Sequence, residues 1–450
     1  MSESKTPSYS AAEAVKTQPE QAKKPTDMDR REPFTLDTCL DFLDATLFTT
    51  PALLLIPAIL YFWDRHQVVS AGSAGAAGSG GPGIVGFLSS LTKAASAKAA
   101  AVSYPEASYA HIKDLLFTKY KWIGRLLVFG LIKNVNHHLN RLCANNAVYR
   151  ADKPDWSNEV VVVTGGAAGI GKAIVEAMSH KRKAKVAVLD LAPPTYAPAP
   201  RGAPAIQYYK TDVTDPAQVK AVAEQIRSTL GQPTILVNNA GIASGNTILE
   251  SDPEHIQRVW RVNHLSNYVT LQEFLPHMIK HNHGHVVTVA SSASFFSLPS
   301  MGEYSGSKSA TLALHEVLKG ELRQRYNAPR VRASLVAPTK VRTALGDGME
   351  DHSMPFLHPV LESYQLGRKV LWAVDSGLSQ YMVLPRLMQP LPALRGFPDW
   401  LRRSFELIGH TDDMVSHKSI SRALGNGYGA NWQGAEAANR EKVMARMNKK

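Results

Sequence analysis

The sequence is poor in cysteine: Cys39 and Cys143 are the only two in 450 residues. Two cysteines so far apart cannot form the disulfide framework of a small secreted domain, and the chain contains no CxxC or HExxH zinc motif. It also has only one apolar stretch that approaches the length of a membrane span, which excludes a polytopic membrane protein. These absences predict a chain that folds in a reducing compartment around a hydrophobic core, without a metal site.

The remaining composition is that of a globular protein, with 44% apolar and 20% charged residues. Fifty Lys and Arg against 38 Asp and Glu give a formal net charge of +12. Such an excess could serve nucleic acid or an anionic membrane. Because the basic residues are scattered and do not alternate with aromatic residues as in single-strand readers, we predict no nucleic-acid partner.

The N-terminal region differs in composition from the rest of the chain. Residues 1–33 contain almost no large apolar side chain, which predicts disorder. Residues 34–69 are predicted to be a hydrophobic membrane-associated segment, in which Ala45 to Trp63 carries no charge. Pro51 and Pro57 would kink a spanning helix, so a tilted span, a re-entrant hairpin, an interfacial helix and a buried appendage all stay open.

Three further segments surround the predicted catalytic part of the chain. Residues 70–110 begin with SAGSAGAAGSGGPG and are predicted to be a flexible low-complexity linker. Residues 111–152 are predicted to contain an amphipathic helix, because basic residues flank an apolar centre. Such a helix suits a lipid headgroup layer, and packing on the following domain is an equal alternative. Residues 412–450 are polar and are predicted to form a tail.

Residues 153–411 have a different pattern, in which short β-rich apolar runs alternate with segments of helical length. This alternation predicts an α/β domain with a doubly wound parallel sheet covered on both faces. After Ala344 the alternation weakens, and apolar residues among prolines predict a C-terminal apolar lid. The predicted strands are 160–163, 186–189, 206–209, 234–237, 285–289 and 331–336, and the predicted helices are 171–180, 216–230, 253–281 and 303–326.

A glycine-rich segment, TGGAAGIG at Thr164 to Gly171, follows the first predicted strand and opens a helix. Glycines there let backbone N–H groups approach a pyrophosphate, which a helix N-terminus also attracts. Asp190 ends the second strand, where a carboxylate can bind a ribose diol and repel a 2′-phosphate, so NAD is favoured and NADP stays open. Gly166 to Lys172 also matches a nucleoside triphosphatase loop, but Ala173 offers no hydroxyl to Mg²⁺.

Tyr304 and Lys308 stand four residues apart in EYSGSK and therefore share one face of a predicted helix. A nearby ammonium group and an oxidised nicotinamide would both lower the pKa of a phenol from about 10. A decrease of about three units needs roughly 4 kcal/mol, which two positive charges in a desolvated site can supply. The pair therefore predicts proton transfer at a substrate oxygen.

In these residues the sequence resembles the short-chain dehydrogenase/reductase family over roughly residues 155 to 345. TGGAAGIG is similar to its glycine motif, and NNAG at Asn238 to Gly241 is similar to its fourth-strand motif. The stretch NHGHVVTVASSA, with apolar segments on either side of the domain, resembles the membrane- or lipid-droplet-associated retinol and 17β-hydroxysteroid dehydrogenase branch. The resemblance implies a Rossmann-like, NAD(P)(H)-dependent oxidoreductase for a lipophilic alcohol or carbonyl compound, such as a retinoid, steroid or long-chain lipid.

The resemblance also implies roles for single residues. Tyr304 would exchange a proton with the substrate oxygen, and Lys308 would bind the nicotinamide ribose and lower the phenol pKa. Ser291, with Ser292 as the alternative, would hydrogen-bond that oxygen. Asn263 would orient a water beside Lys308, and Asn239 is expected to brace the central strands more than to touch substrate. The remaining cofactor residues it implies are Gly165, Gly169, Ile170, Gly171, Asp190, Asp212, Val213, Pro338 and Thr343.

Two features do not follow the family pattern or its chemistry. Pro338 is followed by Thr339 where the family usually has glycine, and a β-branched residue cannot replace glycine at positive φ. We therefore expect this loop to lie differently against the nicotinamide. His277, His281, His283 and His285 surround a helix-to-strand turn, which we interpret as a solvated turn and not as a metal site.

The expected location is a membrane-associated one, at the endoplasmic reticulum or a lipid droplet, with the catalytic domain facing the cytosolic cofactor pool. Relatives commonly pair through the helix that contains Tyr304, which implies a homodimer. A second class of function stays open, a catalytically inert dehydrogenase-fold protein that acts at a lipid surface, because a fold does not establish a function. The presence of all four residues Asn263, Ser291, Tyr304 and Lys308 favours the enzyme.

Overall fold

The computed structural model describes residues 35–46, 49, 53, 55–57, 59–60, 112–243, 245–346, 349, 351, 356 and 358–408. At its centre, seven parallel strands lie in the order β3-β2-β1-β4-β5-β6-β9. These strands are β1 (Val160–Thr164), β2 (Lys185–Asp190), β3 (Gln207–Lys210), β4 (Ile235–Asn238), β5 (His285–Val289), β6 (Arg332–Pro338) and β9 (Tyr381–Leu384). Two further strands, β7 (Val341–Arg342) and β8 (Leu361–Glu362), pair with each other.

The chain also forms the following helices, some of which cover the two faces of this sheet. They are α1 (Leu36–Thr46), α2 (Lys121–Ala144), α3 (Gly169–Arg182), α4 (Pro216–Thr229), α5 (Pro253–Trp260), α6 (Ser266–His281), α7 (Gly302–Gln324), α8 (Ser363–Asp375) and α9 (Asp399–Ile408). Residues Arg261–Leu265 form a π-helical turn between α5 and α6, so the predicted long helix 253–281 is divided there. A second π-helical turn, Leu115–Lys119, precedes α2.

Strand β1 shows why the sheet needs a cover on both faces. Val160 and Val162 pack into one hydrophobic cluster with residues of α4, α6 and α7. Val161 and Val163 pack into a second cluster with residues of α3 and α8. Successive side chains of a strand point to opposite faces, so an uninterrupted valine run is stable only between two helical layers. The predicted doubly wound α/β fold is confirmed.

The C-terminal part of the domain differs from the predicted apolar lid. Tyr381–Leu384, expected in the lid, is the edge strand β9 and pairs with β6. Helix α8 packs closely on α3, since a Cβ on Gly367 would lie 2.5 Å from the Ala173 carbonyl oxygen. The lid prediction is therefore wrong for these two elements. A four-residue strand next to a proline gives too weak a pattern to be separated from an apolar loop.

Three predicted segments lie outside the described residues: the disordered segment 1–33, the linker 70–110 and the tail 412–450. Within the predicted hydrophobic segment the structure describes α1 and a few later positions. None of the helices in the described part of the chain combines the length and apolar character that crossing a bilayer requires. The membrane-anchoring segment remains a prediction.

The four histidines do not form one solvated turn. His285 is buried in β5, with Nε2 2.8 Å from the Ser334 hydroxyl. His281 hydrogen-bonds its own helix, and His283 lies between two carboxylates, 3.1 Å from Glu159 and 3.4 Å from Asp152. The solvated-turn interpretation is wrong for His285, whereas His283 is partly exposed and is paired with carboxylates. Within the described ranges, no group of three His, Cys, Asp or Glu side chains is placed to hold a metal ion.

The contact of His283 predicts a pH-dependent stability. Its hydrogen bond to Glu159, followed by the charge of that carboxylate and of Asp152, raises its pKa from 6.5 to about 9 against the opposing effect of burial. A raised folded-state pKa stabilises the protein fully below the unfolded value and less as the pH rises through about 9. The side chain is 38% exposed, so we expect no more than about 1 kcal/mol.

Thermal unfolding between pH 6.5 and 10 measures this contribution. We expect His283→Gln to have a lower Tm than wild type at pH 6.5. Between pH 6.5 and 10, the Tm of the variant should fall less than that of wild type. His281→Gln, which changes a histidine of the same segment without a carboxylate contact, serves as the control. Parallel Tm curves for wild type and His283→Gln across this pH range would contradict the assignment.

Candidate active site

Four side chains singled out in the sequence meet at the carboxyl end of β5. Tyr304 and Lys308 lie in the first two turns of α7, Ser291 follows β5 after Ala290, and Asn263 lies in the π-helical turn before α6. All four are buried. In a doubly wound sheet the carboxyl ends of the strands form the edge at which ligands bind. The topology therefore collects these polar groups where a substrate can enter.

The side chain of Ser291 lies next to the phenol of Tyr304 and acts to lower its pKa. The Ser291 oxygen also accepts a hydrogen bond of 3.2 Å from the Ala293 N–H, which fixes its orientation. Ser292, the alternative considered from the sequence, begins the 3-10 helix Ser292–Ser294. The structure thus places Ser291 beside the phenol oxygen.

The pKa of Tyr304 shifts in the direction opposite to the one expected from the sequence. Burial raises the pKa of the phenol, and the neighbouring Ser291 side chain only partly opposes this. Lys308 does not offset it, because its ammonium donates to the Val289 carbonyl oxygen at 3.0 Å and lies 5.8 Å from the Tyr304 ring centroid. Burial also lowers the pKa of Lys308 to about 8. The protein itself therefore favours a protonated phenol, which is a proton donor.

Asn263 closes a small network next to Lys308. Its amide group donates to the Ile242 carbonyl oxygen at 2.9 Å and accepts from the Ile242 N–H at 2.8 Å. It also donates to the Ser307 hydroxyl at 3.0 Å. A Cβ on Gly241 would lie 3.3 Å from the Lys308 nitrogen and 3.4 Å from the Asn263 oxygen. A side chain at Gly241, the glycine of NNAG, would therefore crowd both Lys308 and Asn263. The proposed water held by Asn263 remains a prediction.

The glycine-rich segment forms a turn whose glycines cannot be replaced by residues with side chains. Gly165 and Gly169 have φ values of +64° and +53°, and a Cβ on Gly171 would lie 2.0 Å from the Gly165 carbonyl oxygen. Asn239 braces this turn, donating to the carbonyl oxygens of Thr164 at 3.1 Å and Gly165 at 3.0 Å. Its amide thus holds the turn from the neighbouring strand.

This turn fits a dinucleotide. It leads into α3, whose N-cap residue Ala168 provides no side-chain hydrogen bond to the first N–H groups. Uncapped N–H groups at the start of a helix are suited to a pyrophosphate. Thr343 lies over the same position, with its methyl group 3.1 Å from where a Gly169 Cβ would be. Ile170, which lies within this segment, packs against the hydrophobic core and so supports the turn.

The acidic residues predicted for the adenosine half lie at the ends of β2 and β3. Asp190 accepts hydrogen bonds from the N–H groups of Ala167 at 2.9 Å and Ala192 at 3.0 Å, so its carboxylate is held against the glycine-rich turn. Asp212 accepts from the Thr214 N–H at 2.9 Å, and Val213 is buried. Asp190 is the last residue of β2 and Asp212 follows the end of β3 by two residues, so both lie at the carboxyl edge of the sheet.

Thr339, which replaces the glycine usual in the family, fits the loop after β6 without backbone strain. Its φ is not positive, and its N–H donates to the Leu384 carbonyl oxygen at 2.8 Å, which extends the pairing of β6, ending at Pro338, with β9. Glycine is therefore not required at this position. The Thr339 hydroxyl oxygen is buried without a hydrogen-bond partner.

The sequence did not indicate the apolar surroundings of Tyr304. The phenol ring packs with Leu298 and Met301, and Phe296 and Met349 pack against the same cluster. Met349 is held there because Lys340 donates to its carbonyl oxygen and to the carboxylate of Asp351. These residues carry no motif, and only their meeting in space identifies them.

Comparisons with known proteins agree with this geometry. Residues 159–353 match the model of the short chain dehydrogenase family. A protein named Dehydrogenase RED2 from Cochliobolus heterostrophus is 41% identical over 215 residues, which are 46% of this chain and 80% of that protein. Human Retinol dehydrogenase 10 is 37% identical over 158 residues, 35% of this chain and 46% of that protein.

Among solved structures, the ligand-free aldohexose dehydrogenase of Thermoplasma acidophilum is 24% identical, with a TM-score of 0.43, and the match covers 51% of this chain and 94% of that one. The chain spans less than half of the length of Retinol dehydrogenase 10 and four fifths of Dehydrogenase RED2. The family model over residues 159–353 and the likeness to Dehydrogenase RED2 show that the chain belongs to the short-chain dehydrogenase family of NAD(P)-dependent oxidoreductases.

Proposed function

We propose that the protein interconverts a lipophilic alcohol and its carbonyl compound, with NAD(H) as the preferred cofactor. The observation that carries this proposal is the position of the Tyr304 phenol, which is next to Ser291 and packs among apolar side chains. Two hydroxyl groups among apolar side chains suit a substrate with one polar oxygen on a hydrophobic body. A retinoid, a steroid and a long-chain alcohol all share this chemistry.

Each of the four polar residues has a proposed task. Tyr304 transfers a proton to the carbonyl oxygen or takes it from the alcohol, and Ser291 hydrogen-bonds the same oxygen and orients the phenol. Lys308 binds the ribose next to the nicotinamide, and Asn263 holds a water that links Lys308 to solvent. When bound, the nicotinamide supplies or accepts the hydride. The apolar residues around Tyr304 exclude water from the reacting oxygen.

The preference for NAD rests on Asp190. Its carboxylate lies at the end of β2 and is held against the glycine-rich turn by two backbone N–H groups. There it can accept hydrogen bonds from a ribose diol, while a 2′-phosphate would bring a second negative charge close to it. Asp212 and Val213 complete the adenine end of the proposed cofactor site, and Pro338 and Thr343 lie at its nicotinamide end.

We also propose that the protein works at a membrane or lipid-droplet surface and exposes its catalytic domain to the cytosol. Helix α2 exposes Trp122, Leu126 and Phe129, which are 67%, 58% and 58% accessible. Arg125 lies 4.7 Å above the Trp122 ring, and this combination of basic and aromatic side chains suits a lipid headgroup layer. Helix α9 adds Trp400, which is 70% exposed.

A homodimer through α7 is the last part of this proposal. Val317 on α7 is 52% exposed, and Leu265 and Tyr268, on the segment that packs next to α7, are 48% and 44% exposed. Apolar side chains along adjacent helices suit an isologous interface between two copies. Size-exclusion chromatography with light scattering, in detergent, would distinguish the dimer from a monomer.

A spectrophotometric assay tests the proposed function. Purified protein is mixed with NAD or NADP and a panel of retinoid, steroid and long-chain alcohols, and reduced nicotinamide is followed by its absorbance. We expect turnover of at least one lipophilic alcohol, with a higher kcat/KM for NAD than for NADP. Asp190→Ala should reduce or reverse this cofactor preference. If no member of the panel changes the absorbance in either reaction direction, the alternative of a catalytically inert protein at a lipid surface is favoured.

A further inference from the structure

Helix α1 lies far from the catalytic residues in sequence, yet it contacts the segment that follows strand β9. The chain leaves the sheet at Leu384 and forms a short 3-10 helix, Arg386–Met388. This is the carboxyl edge of the sheet, the side on which Tyr304 lies. Helix α1 packs on this 3-10 helix.

In the first contact, a side chain of α1 caps the N-terminus of the 3-10 helix. The carboxylate of Asp37 accepts hydrogen bonds from the backbone N–H groups of Arg386 and of Leu387, the latter at 3.0 Å. A carboxylate on the first N–H groups of a helix satisfies donors that lack a partner within the helix. Asp37 therefore fixes the beginning of the 3-10 helix as a local N-cap residue would.

The second contact is a set of ion pairs on the same face of α1. Asp37, Asp41 and Asp44 follow a spacing of four and three residues, which aligns them along the helix. The Arg386 guanidinium pairs with the carboxylates of Asp41 and Asp44, and Lys133 of α2 also pairs with Asp44. One acidic face of α1 thus joins the chain after β9 to α2.

Both ends of this arrangement contact segments that continue into the cluster around Tyr304. The N–H of Leu36 donates to the Phe356 carbonyl oxygen at 3.3 Å. Phe356 belongs to the same connection between β7 and β8 as Met349, which packs in the cluster around Tyr304. On the other side, Met388 packs against the cluster that contains Phe295, and Phe295 directly precedes Phe296 of the Tyr304 cluster.

We propose that α1 is part of the cover of the substrate site and helps to determine which alcohols are accepted. Asp37, Asp41 and Asp44 act as positioning residues that hold the segment at Arg386–Met388, while the start of α1 contacts the connection that carries Met349. This inference rests on the proposed function for its substrate, whereas the docking of α1 does not depend on catalysis. The helix thus couples the N-terminal hydrophobic segment to the selection of substrate.

Hydrogen exchange tests the docking without any catalytic readout. In the full-length protein, Asp37→Ala should accelerate exchange of the Arg386 and Leu387 amides by roughly fivefold, the effect of losing one cap. Glu224→Gln, which removes an exposed carboxylate from α4, should leave these amides unchanged. Unchanged exchange in Asp37→Ala would overturn the docking of α1 at this position.

Substrate selection provides the second measurement. We expect Arg386→Gln to lower kcat/KM for a long-chain or polycyclic alcohol severalfold more than for a short water-soluble alcohol, mainly through KM, and Arg386→Lys to restore part of the loss. An unchanged ratio of the two kcat/KM values in an active enzyme would overturn the inference, even if exchange is faster. If the wild type oxidises none of these alcohols, the proposed function fails, and hydrogen exchange alone then decides whether α1 docks.

Discussion

Tyr304→Phe is expected to lower kcat by about 10²- to 10⁴-fold while the protein keeps its fold and its affinity for the cofactor. The phenol is next to Ser291 and packs among apolar side chains, where burial raises its pKa and keeps it protonated. Phenylalanine keeps the ring that packs on Leu298 and Met301 but removes the exchangeable proton. Steady-state kinetics and cofactor titration by fluorescence measure the two effects separately.

Tyr326→Phe is the matched control for this experiment. Tyr326 follows the same helix, α7, but its hydroxyl group bonds Glu321 at 2.8 Å on an exposed surface. We expect wild-type kcat for this variant. A Tyr304→Phe protein that turns over lipophilic alcohols at the wild-type rate would show that the phenol does not transfer the proton, and Ser291 would be the next group to examine.

Gly171→Ala is expected to weaken the binding of NAD by at least about tenfold. The added methyl group would lie 2.0 Å from the Gly165 carbonyl oxygen and 2.6 Å from the Asn239 amide nitrogen. Both are parts of the turn that faces the proposed pyrophosphate, so the turn must move away from the position suited to the phosphates. Equilibrium titration of the protein with NADH, followed by fluorescence, gives the change in Kd.

Gly320→Ala separates this effect from the general consequences of replacing a helical glycine. Gly320 lies in α7 with open space at the position of its Cβ, and alanine there raises helix propensity by about 1 kcal/mol. We expect unchanged affinity for NADH and an unchanged or higher Tm. If Gly171→Ala binds NADH as tightly as Gly320→Ala does, the glycine-rich turn is not the phosphate site.

The central strands and the cofactor turn were predictable because their physical causes are local. Uninterrupted valine runs such as Val160 to Val163 require a sheet buried on both faces, and glycines followed by a helix indicate close approach of backbone to a ligand. The prediction for β5 matches its observed bounds, His285–Val289. Strand ends of this kind also determine where the carboxyl edge lies.

Features that depend on meeting in space could not be predicted. The pKa of Tyr304 depends on its burial and on the direction in which Lys308 points. The spacing of four residues between them predicts neither of these. Strand β9 has four residues, and its place at the sheet edge follows only from its pairing with β6. The contacts of Asp37 with Arg386 and Leu387 join residues about 350 positions apart.

Transfer of deuterium from substrate to cofactor tests the central claim most directly. A lipophilic alcohol that the panel identifies as a substrate is deuterated at its carbinol carbon, incubated with the protein and NAD, and the reduced cofactor is examined by mass spectrometry. We predict that the label appears in the reduced nicotinamide in proportion to the carbonyl compound formed. Oxidation of the alcohol without label in the cofactor would contradict direct hydride transfer in this site.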